Sequence, residues 1–313
     1  MNIKIKTNNS IDTINIIQKK ECSLKKYDIN VIIRTKNEAV KIKECLDAIF
    51  NQKCNKSFIV SIIDSGSTDS TLKIINNYDI NLYQIESKDF NFGTSMQLGI
   101  EISKAKYTVF ISGHAIPVNN NWLQLMIDGL DLNNVAAVYG KQTYKKDVNL
   151  LERINLESTF GNQDRIQKWN NKYKKYSDYK MDILFSNANS CIKTEIALKY
   201  PFSKISASED REWAMRVLKA GFDIKYLHKA SVYHYHNEDY VNYYKRIFIN
   251  SKALYNFTGV SISILYIPII TLYKSFKDIL YALKHQLKFS IINVFHYRYL
   301  YALAHYNGTR KEL

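Results

Sequence analysis

The hydrophobic pattern is dominated by two short β-branched runs, within VIIRTKNEA at 31–39 and FIVSIIDSGSTDSTLKII at 58–75, that are too apolar to face water on either side. Each passes within a few residues into an amphipathic helix, lined by Leu46, Ile49 and Phe50 in the first case and by Leu72, Ile74 and Ile75 in the second. Buried runs alternating with helices predict parallel strands in a βαβ arrangement, hence an α/β fold. Farther along, Trp213, Met215, Val217 and Leu218 give a third helix a mostly apolar side, and Gly221 supplies its left-handed stop. In the last 60 residues, KDILYALKHQLKF and YRYLYALAHYNG place Leu, Tyr and Ala three and four apart. That spacing predicts two or three further helices, the last closed by Gly308. VSISILYIPIITLY, 260–273, is the most apolar run. It contains Pro268 and falls short of the roughly 20 residues needed to span hydrocarbon, so a buried or interfacial helix is expected.

This pattern divides the chain into a lead-in over 1–27, a sheet domain over 28–250 and a helical extension over 251–313. The lead-in is rich in Lys and Asn and is expected to be loosely docked. With 313 residues and 46% hydrophobic content the chain can bury one large core, or one domain with an appendage. MNIKIKTNNSIDTIN has no apolar run of signal-peptide length, and Cys22, Cys45, Cys54 and Cys191 lack the CxxC spacing of zinc or redox sites. A cytoplasmic setting is therefore expected.

A net charge of +15 points to a polyanionic partner. Nucleic acid is not expected, because the cations are dispersed and no helix-turn-helix, zinc finger or RNP string is present. An anionic membrane surface fits better. KYKKY at 172–176 and Lys245, Arg246, Lys252, Lys274, Lys277, Lys284 and Lys288 are interleaved with tyrosines, which suits a headgroup zone. A peripheral position on the inner face of the cell membrane follows. Ordinary packing of the terminal helices on the sheet domain is the competing reading.

Candidate chemistry gathers at two places. Glu209 and Asp210 fall in the first turn of the third helix, where the dipole favours a carboxylate, after a loop carrying Ser203, Ser206 and Ser208. Taken alone, the pair reads either as an N-cap with a surface ion pair to Arg211 or Arg216, or as a held base. Asp64 stands where a strand leaves the sheet, followed by a polar turn in which Gly66 lets the backbone come close. In open α/β sheets ligands bind at the carboxyl ends of strands, so a carboxylate there can accept hydrogen bonds from a base or ribose. The turn has neither Walker nor dinucleotide spacing, which removes support for an ATPase or a nicotinamide dehydrogenase.

Together these strings resemble family-two glycosyltransferases of the GT-A fold, from about residue 29 to 250. IIRTKNEA is similar to that family's first strand and turn, IIDSGSTD to its nucleotide-binding turn, and ASEDREW to its acceptor-side acid motif. The resemblance implies a Rossmann-like, mostly parallel central sheet flanked by helices. It implies that Thr35, Glu38 and Asp64 hold the nucleotide of an activated sugar and that Gly93, with Phe92, borders the donor. It further implies that Asp210 is the general base, with Glu209 beside it, and that Trp213 lines the acceptor pocket. One departure stands out. After YTVFI, 107–111, the family usually carries an Asp-x-Asp that ligates a divalent cation, whereas this chain reads SGHAIP, with His114 in the second aspartate's place. SVYHYHN, 231–237, matches a strand end where relatives place a histidine near the metal or diphosphate. A manganese or magnesium ion held by His114 with His234 or His236 is thus one expectation. Neutralisation of the diphosphate by basic side chains is the other, and the Tyr-His-Tyr-His alternation also suits a plain strand.

The reading this supports is an inverting glycosyltransferase that moves a sugar from a nucleotide-diphosphate donor to a hydroxyl of a growing surface glycan. A polyprenyl-linked acceptor is implied by relatives that carry a similar tail. Two alternatives remain at this stage: an inactive glycan-binding or scaffold subunit of the same fold, and a nucleotidyltransferase, against which SGHAIP argues because paired carboxylates for magnesium are missing.

Overall fold

A computed structural model describes residues 1–21, 26–132, 134–172 and 183–310. Cys22 and residues 173–176 of the basic tyrosine stretch lie outside the described residues. The chain opens with an antiparallel hairpin, β1 (Asn2–Lys6) and β2 (Ile11–Lys20). It continues through β3 (Ile29–Thr35), α1 (Ile42–Phe50), β4 (Phe58–Asp64), α2 (Thr71–Ile75), β5 (Asn81–Ile85), α3 (Phe92–Ile102), β6 (Tyr107–Ser112), β7 (Ile116–Pro117), α4 (Trp122–Leu130) and β8 (Val135–Thr143). Then follow α5 (Leu150–Thr159), β9 (Arg165–Gln167), β10 (Asn189–Lys193), α6 (Thr194–Lys199), α7 (Glu209–Lys219) and β11 (Asp223–Tyr233), with α8 (Tyr240–Thr258), α9 (Tyr266–Lys284) and α10 (Ile291–Gly308) at the end.

The described residues fall into two compact units. The first takes those within 1–142, 161–170 and 183–234, and the second takes 143–160, 171–172 and 235–310. In the first unit the strands form one sheet in the order β1-β2-β5-β4-β3-β6-β10-β8-β11-β7, with β9 paired to β11. The parallel ladder is confined to β5-β4-β3-β6, and antiparallel strands extend it on both sides, so the sheet is mixed. The β-branched runs form these central strands because both faces are covered. Val31, Ile33, Val60, Ile62, Val109 and Ile111 pack in one core with Leu46 and Ile49 of α1 and Trp122 and Met126 of α4.

The expectation of a loosely docked lead-in is corrected by β1 and β2. In NIKIK and IDTINIIQKK the isoleucines alternate with polar neighbours, so Ile5, Ile14 and Ile16 turn inward and are buried. β2 then pairs with β5 and covers what would otherwise be an open edge.

The second unit is helical. Asp239 caps α8 by accepting the Asn242 N–H at 2.8 Å, and Gly259, at φ +69, closes it. α8 therefore runs unbroken through the domain boundary expected between 250 and 251. Inside the unit Arg298 of α10 meets Asp278 of α9 through Nε and through Nη2 (3.1 Å), and Nη1 donates to Asn155 Oδ1 at 3.1 Å. Gly308 ends α10, and its role is close approach: a Cβ there would lie 2.7 Å from Phe248 O of α8. Among the described residues no helix is long and apolar enough to cross a membrane.

Candidate active site

The site is built on strand register. Thr35 of β3 lies opposite Asp64 of β4, and Arg34 lies opposite Ser112 of β6, so three parallel strands end at one level. Asp64 is 0% exposed. Its carboxylate accepts from Thr35 Oγ1 (3.1 Å), from the N–H groups of Gly66 (3.1 Å) and Ser67 (3.0 Å), and from the Ser67 hydroxyl. Gly66 has φ +84, and a Cβ there would meet Ser87 Oγ at 2.6 Å. Asn37, in the left-handed region at φ 57, donates its N–H to Ser67 Oγ (2.9 Å) and accepts the Thr68 N–H on Oδ1 (2.8 Å). Glu38 N–H donates to Thr71 Oγ1 at 2.8 Å. The loops after β3 and β4 are thus laced into one body. Thr35 and Asp64, the residues expected at the nucleotide, meet each other at this strand end. Both are buried, and their hydrogen bonds hold the two loops together.

Glu38 turns the other way. Its Oε1 lies 2.7 Å from His114 Nδ1 in the loop between β6 and β7. His114 Nε2 lies 3.1 Å from His234 Nε2, with the rings within 16° of parallel. The register explains the meeting: Tyr233, the last residue of β11, pairs with Ile116 of β7, so the residues just beyond each strand converge. His234 Nδ1 lies 2.9 Å from Gln142 Oε1, whose Nε2 donates to Ser186 Oγ at 2.9 Å. With a carboxylate and an amide oxygen as acceptors, both Nδ1 atoms are donors, and each neutral ring then keeps its lone pair on Nε2. Two such lone pairs 3.1 Å apart repel unless a proton or a cation joins them. His236 stands two residues farther along, in the second unit, where its N–H donates to Glu152 Oε1 at 3.2 Å.

The acid pair heads α7, entered through Ser208 in the left-handed region at φ 57. Asp210 Oδ2 accepts the Asn187 N–H (3.2 Å), and Oδ1 accepts that of Arg211 (2.8 Å). Asp210 is half-buried, whereas Glu209 lies behind it at 4% exposure. Burial first, then the neighbouring Asp210 charge, pushes the Glu209 carboxyl up from 4.5 to about 7. Burial likewise raises Asp210 above the usual aspartate value, against the Asn187 and Arg211 N–H bonds that favour its charged form. Arg34 Nη1 comes within 4.0 Å of Glu209 Oε1, while its guanidinium lies 5.2 Å from the centre of the Phe92 ring. Among the described residues Arg34 Nη1 is a buried donor with no hydrogen-bond acceptor.

Two other expected site residues are buried. Trp213 is 0% exposed, between Phe202 and Phe185 at ring distances of 5.3 and 5.4 Å, and its Nε1 donates to Tyr200 O at 2.7 Å. It anchors α7 in the core. Gly93 is buried because a Cβ would fall 1.8 Å from Ser203 O, so its missing side chain lets α3 meet the loop before α7. Sequence reasoning missed Arg34, Gln142 and Asn187. The signal for Arg34 was present, as a charge inside a strand too apolar to face water.

The description of a known family that matches this chain is Glycosyl transferase family 2, over residues 30–195. An O-antigen chain rhamnosyltransferase of Salmonella anatum is 31% identical over 192 residues, 60% of this chain and 60% of that protein. Another, of Salmonella typhimurium, is 27% identical over 220 residues, 67% of each. The chain thus spans about three fifths to two thirds of the length of these curated relatives. Among solved structures, the mannosyltransferase PcManGT of Pyrobaculum calidifontis in complex with GDP-Man and Mn2+ superposes with a TM-score of 0.53 at 16% identity, over 73% of this chain and 63% of that one. S. aureus TarS in complex with UDP-GlcNAc gives 0.53 at 17% identity, over 73% and 67%. The fold is that of GT-A glycosyltransferases.

Because Asp64 satisfies four buried or half-buried donors, Asp64→Ala is expected to act on stability first. Orphaning such donors costs about 1 to 3 kcal/mol, which a urea or thermal melt of the variant should register. Wild-type stability together with weakened nucleotide binding would make Asp64 a residue that faces the ligand.

Proposed function

The chain belongs to glycosyl transferase family 2, and we propose that it transfers a sugar from a nucleotide-diphosphate donor to a hydroxyl of a growing surface glycan, with inversion at the anomeric carbon. The observation that carries this reading is the acid pair at the head of α7, in which Asp210 is open enough to meet a substrate and Glu209 is buried behind it. Asp210 takes the proton of the acceptor hydroxyl as that oxygen attacks the anomeric carbon from the side opposite the diphosphate. The carbon–oxygen bond to the nucleoside diphosphate breaks in the same displacement, so no covalent enzyme intermediate is needed. Raised proton affinity at Asp210 suits the role, since a general base works best when its pKa approaches the working pH. The kinship with O-antigen chain rhamnosyltransferases supports a glycan acceptor, and a lipid-linked one is part of the proposal.

The His114 and His234 pair fits a divalent cation on donor chemistry. Both Nδ1 atoms are anchored by acceptors, and both Nε2 atoms point at one locus, the outer-shell pattern of imidazole ligands. Manganese accepts nitrogen ligands more readily than magnesium does. A cation there would offset the charge of the departing diphosphate. In this reading Glu38, which the family resemblance assigned to the nucleotide, orients the His114 ring, supported by the 2.7 Å contact between its Oε1 and His114 Nδ1.

Asp210→Asn is expected to leave donor affinity nearly intact and to cut transfer roughly 100-fold or more, with Glu209→Gln costing less. Wild-type turnover by the Asn variant at saturating acceptor would remove Asp210 from the mechanism. For the cation, EDTA should abolish activity and manganese restore it, and His114→Ala should lose manganese binding in calorimetry. Full activity in EDTA would refute metal ligation and leave the sugar-transfer reading standing.

A further inference from the structure

α9 is inverted relative to an ordinary surface helix, whose apolar stripe faces its core. Its buried positions are Ser275, Asp278 and Ala282, with Asp278 tied to Arg298. Its outward positions are Ile269, Leu272, Phe276, Leu280 and Leu283, all exposed, with Leu272 at 60% and Phe276 at 63%. Spaced three and four apart, they fall on one stripe at about 100° per residue. Ile264 and Leu265 before the helix, and Ile291 and Ile292 at the start of α10, are exposed as well, Ile292 at 80%. The buried ion pair satisfies the inner face, so the apolar side chains have no place in this unit's core. An exposed apolar row of this length marks an interaction surface.

Charge selects the partner. Lys277 and Lys284, two turns apart, run along one flank of the stripe, and Lys288 follows beyond the helix; all three are exposed. Between residues 260 and 292 the only carboxylate is Asp278, which is buried and paired. A face with cations and no accessible carboxylate repels a second copy of itself and attracts an anionic surface. The stripe is one-sided, and no described helix can span a bilayer.

We propose that the outward stripe of α9 docks on an anionic lipid bilayer, with Leu272, Phe276 and their neighbours at the headgroup–acyl boundary and Lys277, Lys284 and Lys288 against lipid phosphates. The proposal goes beyond sugar transfer and does not rest on Asp210 or His114.

The test is co-flotation of the full chain with vesicles of phosphatidylcholine alone and of phosphatidylcholine mixed with phosphatidylglycerol. Binding is expected on the anionic vesicles at low salt, weakening about tenfold or more at high salt or without the anionic lipid. An Ile269→Ser, Leu272→Ser, Phe276→Ser triple variant removes only exposed side chains and should lose about tenfold in partitioning. A Lys277→Glu, Lys284→Glu variant should lose as much on anionic vesicles, and it decides the matter alone if the triple variant fails to fold. Absence of wild-type binding to anionic vesicles at low salt would overturn the proposal, as would undiminished binding by both variants. So would a wild-type dimer in lipid-free buffer that the triple variant converts to monomer, since the face would then belong to a second copy. Nucleotide-sugar binding measured on the same preparations reports separately on the active site.

Discussion

The carboxylate of Asp64 ties the end of β4 to the end of β3 and to the turn that follows, and the rest of the site is placed by that tie. A buried carboxylate is tolerated only when donors surround it, and here a hydroxyl from each loop and two backbone N–H groups do so. Once the two loops are fixed, Glu38 is fixed with them, and through Glu38 the ring of His114. On the other side of the same strand end, Arg34 projects toward the acid pair. A single buried group therefore orders the strand ends from which both the histidine pair and the acid pair are reached, the two places that the proposed reaction requires.

The acid pair sets two adjacent carboxyls in contrasting surroundings. Glu209 is buried and holds its proton up to about pH 7, while Asp210 is more open and receives two backbone N–H bonds. Arg34 stands near both without a hydrogen bond on Nη1, oriented by the face of Phe92. A guanidinium so placed favours the charged form of either acid, and burial favours the neutral one. The balance leaves Asp210 with a proton affinity above the usual aspartate value, as the proposed role of general base requires.

What the chain made legible follows from periodicity. Buried β-branched runs between amphipathic helices identified the parallel strands, and Gly221 and Asp64 marked where helices and strands end. The hairpin of residues 2–20 was hidden because its alternation is carried by a few isoleucines among lysines and asparagines, and its burial depends on β5, 61 residues beyond the end of β2. Side-chain partners were less legible than elements. Trp213 read as an acceptor contact because it follows the acids, yet its position on α7 turns it into the core against Phe185 and Phe202. The pairing of His114 with His234 arises from the register of β7 with β11, which no local pattern encodes.

The most direct test of the central claim, that Asp210 is a base whose proton affinity is raised by burial, is the pH dependence of kcat/KM for transfer, measured for wild type and for Asp210→Asn. Burial holds Asp210 above the ordinary aspartate value of 3.8, so the acid limb of the wild-type profile should begin above that value and should be missing from the Asn variant. A wild-type acid limb at or below 3.8, or one that persists unchanged in Asp210→Asn, would contradict the account.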